Sequence, residues 1–171
     1  GAGGEIGHIH VEDAEEEVCN CGNKGCLEQM ASATGIVRLA RRHLAASDEP
    51  SLLRDKSKKL SAKLVFDAVK EGDALACEVI EQVGRHLGKT IAIAINLFNP
   101  QKIVVAGEIV EAEKVLLPAI EGCINAQALK AFRKNLPVVR STLDHRSAIG
   151  AFALVKRAML NGTLLQRLLE S

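Results

Sequence analysis

Cys19, Cys21 and Cys26 fall within eight residues of one another. Between them stand Asn20, Gly22, Asn23, Lys24 and Gly25, a turn-forming set whose two glycines let the backbone fold the thiols toward one point. Thiolates suit Zn²⁺, which takes four ligands at about 2.0–2.3 Å. His8 and His10 lie just upstream, and either can supply the fourth donor. Three thiolates against one dication leave a net negative charge, which the neighbouring Lys24 offsets in part. Four protein ligands leave no open coordination position, so such a metal is structural rather than hydrolytic. A loop of exposed thiols and a redox pair are the competing readings.

The elements that position this cluster follow from the rest of the chain. Ile9, His10 and Val11 read as the end of a strand. Glu12, Asp13, Glu15, Glu16 and Glu17 form an acidic run, the usual mark of a solvated loop. From Leu27 the pattern is helical, with Ile36, Leu39, Ala40 and Leu44 on one face and Arg38, Arg41 and Arg42 on the wet side. Residues 47–60 read as a surface connection. Ser61 is an N-cap for a helix through Val69, and Gly72 ends it. Asp73 caps a long helix reaching about Phe98, whose second half, Ile91 to Leu97, is apolar all round and is expected to be buried. Asn99-Pro100 stops it.

Ile103 to Gly107 then reads as a buried, central parallel strand. A helix from Glu111 to about Asn125 is expected to kink or break at Pro118. A short helix over Ala128 to Lys134 precedes a second buried strand at Pro137 to Arg140. Ser147 to Met159 is helical, and Leu164, Leu165, Leu168 and Leu169 form a short amphipathic helix that must dock to be stable. The fold class is α/β with parallel strands.

Composition narrows the function classes. The 171 residues carry a formal net charge of +1, are 47% hydrophobic and include four aromatics, all Phe. That hydrophobicity and low net charge exclude a disordered chain. No basic surplus is available for phosphates and few rings for stacking bases, which disfavours nucleic acid as a partner of this segment. The longest apolar stretch, Thr90 to Phe98, falls far short of the ~20 residues of a membrane span. Cys77 and Cys123 sit on helical apolar faces and read as small buried hydrophobes.

Gly4-Glu5-Ile6-Gly7-His8, followed by Cys19-x-Cys21-Gly22-x-x-Gly25-Cys26-x-Glu28, resembles the signature of the ROK family of repressors, open-reading-frame proteins and sugar kinases. The interval from His8 to Cys19 is one residue longer than usual, and the acidic run fills it. Residues 143–162 and Glu108-Ile109-Val110 resemble the family's glucose-responsive transcriptional repressors, with its N-acetylglucosamine repressors next. The resemblance implies a ribonuclease-H-like, actin-like sugar-kinase fold. Residues 1–171 would then be the C-terminal part of it, with a zinc loop over 8–26. The first lobe and an N-terminal helix-turn-helix would stand upstream.

His8, Cys19, Cys21 and Cys26 match the family's zinc ligands. Glu5, His8 and Glu28 match positions that contact sugar hydroxyls. The implied whole protein is a cytoplasmic homo-oligomer, a dimer or tetramer, that reaches DNA only through its N-terminal domain. It has a possible hexose ligand. The dephosphorylated glucose permease of the phosphotransferase system captures it at the inner membrane face.

The family's kinases place their catalytic aspartate and glycine-rich phosphate loop upstream of this segment. They usually carry consecutive glycines after the strand that matches Ile103 to Val105. Here the run is Ala106-Gly107-Glu108. A carboxylate at that point repels and crowds a nucleotide's phosphates. The departure favours a regulator without enzymatic activity, with a sugar-kinase fragment as the alternative. Glu108 as a simple helix cap is the bland reading.

Overall fold

The computed structural model describes residues 3–12, 18–143 and 146–161; the leucine helix expected at 164–169 and acidic residues 13–17 lie outside them. Residues 1–140 form one compact unit and residues 141–171 a second. In the first, α1 (Leu27–Ala31), α2 (Ala33–Ala46), α3 (Ala62–Lys70) and α4 (Ala74–Phe98) precede β1 (Ile103–Val105). α5 (Glu113–Gln127), α6 (Lys130–Arg133) and β2 (Val138–Arg140) follow, and the second unit contains α7 (Arg146–Leu160).

The core assembles on α4. Leu75, Ala76, Val79, Ile80 and Val83 are buried along it. They join one apolar cluster with Ile36, Leu39 and Ala40 of α2, Val65 and Phe66 of α3, and Leu116, Ile120 and Ile124 of α5. Asp73 starts this helix as expected. Its Oδ1 accepts from the Ala76 amide at 2.8 Å and from the Ser51 hydroxyl at 3.1 Å. Its Oδ2 accepts from the Leu52 amide at 2.7 Å. One buried carboxylate thus closes a helix N-terminus and pins the preceding connection. Ser61 caps α3, accepting from the Leu64 amide at 3.3 Å, and Gly72 follows at φ +79°.

α4 and α5 approach closely because two glycines face α5. A Cβ at Gly84 would lie 2.6 Å from that of Ala119. One at Gly88 would lie 2.6 Å from that of Cys123 and 2.8 Å from the Ile120 carbonyl. α5 continues across Pro118 without a break. Packing along α4 holds the helix over the lost backbone bond.

Two further expectations change. β1 and β2 pair in parallel, Ile103 with Val138 and Val105 with Arg140, in a two-stranded sheet among the described residues. Neither strand is fully buried, and Val104 is exposed. In the second half of α4, Ala92 and Ile95 are buried but Ile93, Leu97 and Phe98 are exposed, because packing covers one face only. The polar residue there, Asn96, has its own task. Its amide oxygen accepts from the Leu129 amide at 2.8 Å and its amide nitrogen donates to the Gln127 carbonyl at 3.3 Å, joining the end of α5 to α6. No helix among the described residues is long and apolar enough to cross a membrane.

Gly88→Ala should therefore destabilise the protein by about 1–3 kcal/mol through overpacking. Gly122→Ala, where a Cβ meets nothing within 4 Å, should be neutral or stabilise by up to ~1 kcal/mol. Thermal denaturation of the two variants checks the contrast.

Candidate metal centre

The loop is built from two short backbone pairings. Residues Ile6–His8 make one 3-10 turn, which presents His8. The chain then runs past the end of the cysteine segment. Leu27 donates to the Ile9 carbonyl at 2.9 Å and Val11 to the Gly25 carbonyl at 2.8 Å, with His10 bridged to Cys26. The strand end expected at Ile9 to Val11 is thus a single antiparallel bridge. A second bridge joins Val18 to Lys24. Inside it, Cys19 donates to the Asn23 carbonyl at 2.7 Å and Gly22 to that of Cys19 at 2.8 Å.

The glycines are needed where they stand. Gly22 and Gly25 adopt φ of +90° and +69°, which L side chains rarely take. At Gly25 a Cβ would also collide with the Glu12 carbonyl and the His10 ring.

These pairings bring His8, Cys19, Cys21 and Cys26 together, with their donor atoms all within 4.8 Å of one another. Cys21 Sγ lies 3.5 Å from Cys26 Sγ, and Cys19 Sγ lies 3.7 Å from His8 Nδ1. A 2.3 Å Zn–S bond at tetrahedral angles requires sulfurs roughly 3.8 Å apart, so the donors stand at ligand spacing. The five cysteines are all free thiols.

Ionisation is uneven in the bare cluster. Burial pushes the Cys26 thiol up to about 12, while a backbone hydrogen bond at Asn23 brings exposed Cys21 down to about 7. Three adjacent thiolates therefore need a cation to form together, and binding one releases their protons. The set could hold a metal ion of zinc type. His10 is not in it: its Nδ1 pairs with the Lys24 carbonyl at 3.0 Å. The choice between the two histidines, open by residue chemistry, falls on His8.

Glu5, His8 and Glu28 also converge. Glu5 Oε2 lies 3.8 Å from His8 Nε2, and Glu28 Oε2 lies 3.7 Å from His8 Nδ1 and 4.0 Å from Cys19 Sγ. Cys26 immediately precedes α1, so Glu28 is held in the first helical turn next to the thiols. α1 ends at Ser32, whose hydroxyl accepts from the Gly35 amide at 3.1 Å and starts α2.

A cleft of about 180 Å³ opens here, lined among others by Cys19, Glu28, Ser32 and Arg38. Arg38 is a residue that sequence patterning assigned only to the wet face. Its guanidinium donates to the Gln29 carbonyl at 2.7 Å and so fixes α1 against α2. Elsewhere, Cys77 and Cys123 on α4 and α5 are half-buried rather than buried as expected, because each sits at the edge of its helix's packed face. Glu108 is exposed in a 3-10 turn after Gly107, which sits at φ +108°.

Cobalt(II) titration of the metal-stripped protein should saturate at one ion per chain with sulfur-to-cobalt charge-transfer absorption. Cys26→Ser should weaken cobalt binding and lower the band, as one of three thiolates is lost, and Cys77→Ser should leave both unchanged. An unchanged band and affinity in Cys26→Ser would remove Cys26 from the ligand set.

The pattern of the ROK family matches residues 1–158. The DNA-binding transcriptional dual regulator NagC of Escherichia coli strain K12 is 66% identical over 168 residues, which are 98% of this chain and 40% of that protein. The DNA-binding transcriptional repressor Mlc of the same strain is 40% identical over 166 residues, 97% of this chain and 40% of that protein. A glucokinase of Halalkalibacterium halodurans is 39% identical over 160 residues, 92% of this chain and 48% of the enzyme. The crystal structure of a ROK family transcriptional regulator, a homolog of the E. coli Mlc protein, aligns with a TM-score of 0.83 at 39% identity, covering 97% of this chain and 41% of that one.

The chain thus spans less than half the length of these relatives. NagC is more similar than Mlc, the reverse of the order that residues 143–162 suggested. With a match over most of the sequence and this level of identity to repressors and kinases alike, the chain belongs to the ROK family.

Proposed function

We propose that this chain is the zinc-bearing regulatory and oligomerisation part of a sugar-responsive ROK transcriptional repressor. The convergence of Glu5 and Glu28 on His8, inside a cluster at zinc-ligand spacing, carries the reading. Carboxylates accept paired hydrogen bonds from neighbouring hydroxyls. A metal-bound imidazole has its other nitrogen fixed as a donor, which a carboxylate or a hydroxyl can take. The zinc would hold the sugar-contacting loop in shape without touching the sugar. DNA is read by a domain outside this segment, in keeping with its near-neutral charge.

The 66% identity to an N-acetylglucosamine repressor of E. coli supports an N-acetylglucosamine-type effector. Capture by the dephosphorylated glucose permease at the membrane is the corresponding reading along the Mlc branch, at 40%. A sugar kinase is the second function class, supported by the 39% identity to a glucokinase. By the resemblance, Glu108 speaks against it: where the family's kinases usually carry a further glycine this chain has an exposed carboxylate, which would repel a nucleotide's phosphates.

In the full-length protein, Glu28→Gln should weaken sugar binding by about 10-fold or more while leaving metal content unchanged, since a hydrogen bond to a charged group is worth about 1.5–3 kcal/mol. Calorimetric titration with N-acetylglucosamine and glucose measures it. ATP-dependent sugar turnover by the wild-type full-length protein should be absent; robust turnover would sink the repressor reading.

A further inference from the structure

His86 has no task in the site described so far. It lies on α4, is buried, and neither ring nitrogen completes a hydrogen bond. A buried polar group left so is rare enough in a folded protein to require a reason. What faces it is the segment that carries the metal cluster. Glu12 Oε2 stands 3.6 Å from His86 Nε2. Burial holds the imidazole below its ordinary pKa; Lys89 and Arg85 push the same way, while Glu12 and the Val11 backbone oppose them.

The position of Glu12 gives this contact its meaning. The Val11 amide bonds the Gly25 carbonyl, and Glu12's own carbonyl closes over the Gly25 backbone. Gly25 precedes Cys26, the most buried of the three clustered thiols. The stretch Val11–Glu12 is therefore one wall of the cluster's scaffold, and His86 is the buried α4 polar group against it. Glu12 also lines a cleft of about 350 Å³ together with Arg42 and His43 of α2 and Gln82 of α4.

We propose that His86 is a positioning residue for the metal loop: through Glu12 it docks the Val11–Glu12 wall on α4 and so slows release of the ion held by His8, Cys19, Cys21 and Cys26. The proposal rests on the zinc reading above. It makes metal retention depend on a core residue that is not a ligand.

The test is the rate at which a chromogenic chelator strips zinc from the full-length protein. His86→Leu should release zinc at least 10-fold faster. The same variant should keep its thermal stability, because an apolar side chain of similar size fills the same buried place on α4. His86→Gln, which can still donate to Glu12, should restore a rate near that of the wild type. Glu12→Ala should accelerate release, with no further acceleration when combined with His86→Leu. Release at the wild-type rate in His86→Leu would overturn the positioning role, as would fully additive effects of the two substitutions. A drop in stability that tracks the faster release, without rescue by His86→Gln, would reduce His86 to a packing residue and also overturn it. A wild-type protein holding no stoichiometric zinc would overturn the zinc reading itself and this inference with it.

Discussion

The cysteine loop has almost no core of its own. Among the described residues from 3 to 26, the buried side chains are those of Cys19 and Cys26. Two backbone bridges and a few turn hydrogen bonds hold the rest. Bonds of that kind contribute only about 0.5–1.5 kcal/mol each against water. A stretch of this length has little to order it on such terms, and a metal ion held by the four donors at its centre would supply what is missing. A dication among three thiolates and an imidazole would convert mutual repulsion into cohesion, and its binding would become folding free energy for the loop.

The remainder of the site inherits its geometry from that centre. Glu28 stands two residues after Cys26, on a helix whose first turn the thiolate precedes. Glu5 stands three residues before His8 across one 3-10 turn, in the carboxylate–imidazole arrangement that orients a metal-bound histidine. The loop meets the helical core through α1 and through the Glu12–His86 contact on α4. α4 is in turn fixed by the Asp73 cap and by its close approach to α5 at Gly84 and Gly88. An ion at the loop would thus bear on the same short segment of backbone as a packed helix in the core.

What the sequence made legible was local. The ligand spacing, the caps at Ser61 and Asp73, and the stop at Asn99, which adopts φ +43°, all depend on neighbouring residues and are visible in order along the chain. Contacts between distant segments were not. Ser32, which splits one expected helix into α1 and α2, acts through a single side-chain cap. Arg54 donates to the carbonyls of Leu44, Ser47 and Glu49 and so ties the end of α2 to the following connection, although its position within 47–60 suggested only a surface stretch. Pro118 breaks the local rule because α5 is held along its length by α4. The exposure of Ile93, Leu97 and Phe98 shows the limit of apolar patterning, since the pattern states what prefers burial and not what is available to cover it. His86 carried no sequence signal at all, for its meaning lies in a contact 74 positions away in the chain, with Glu12.

X-ray absorption at the zinc edge of the purified full-length protein tests the central claim most directly. One zinc per chain, with three sulfur ligands at about 2.3 Å and one nitrogen at about 2.0 Å, is the predicted first shell. Absence of stoichiometric zinc, or a Cys21–Cys26 disulfide in its place, would contradict the account.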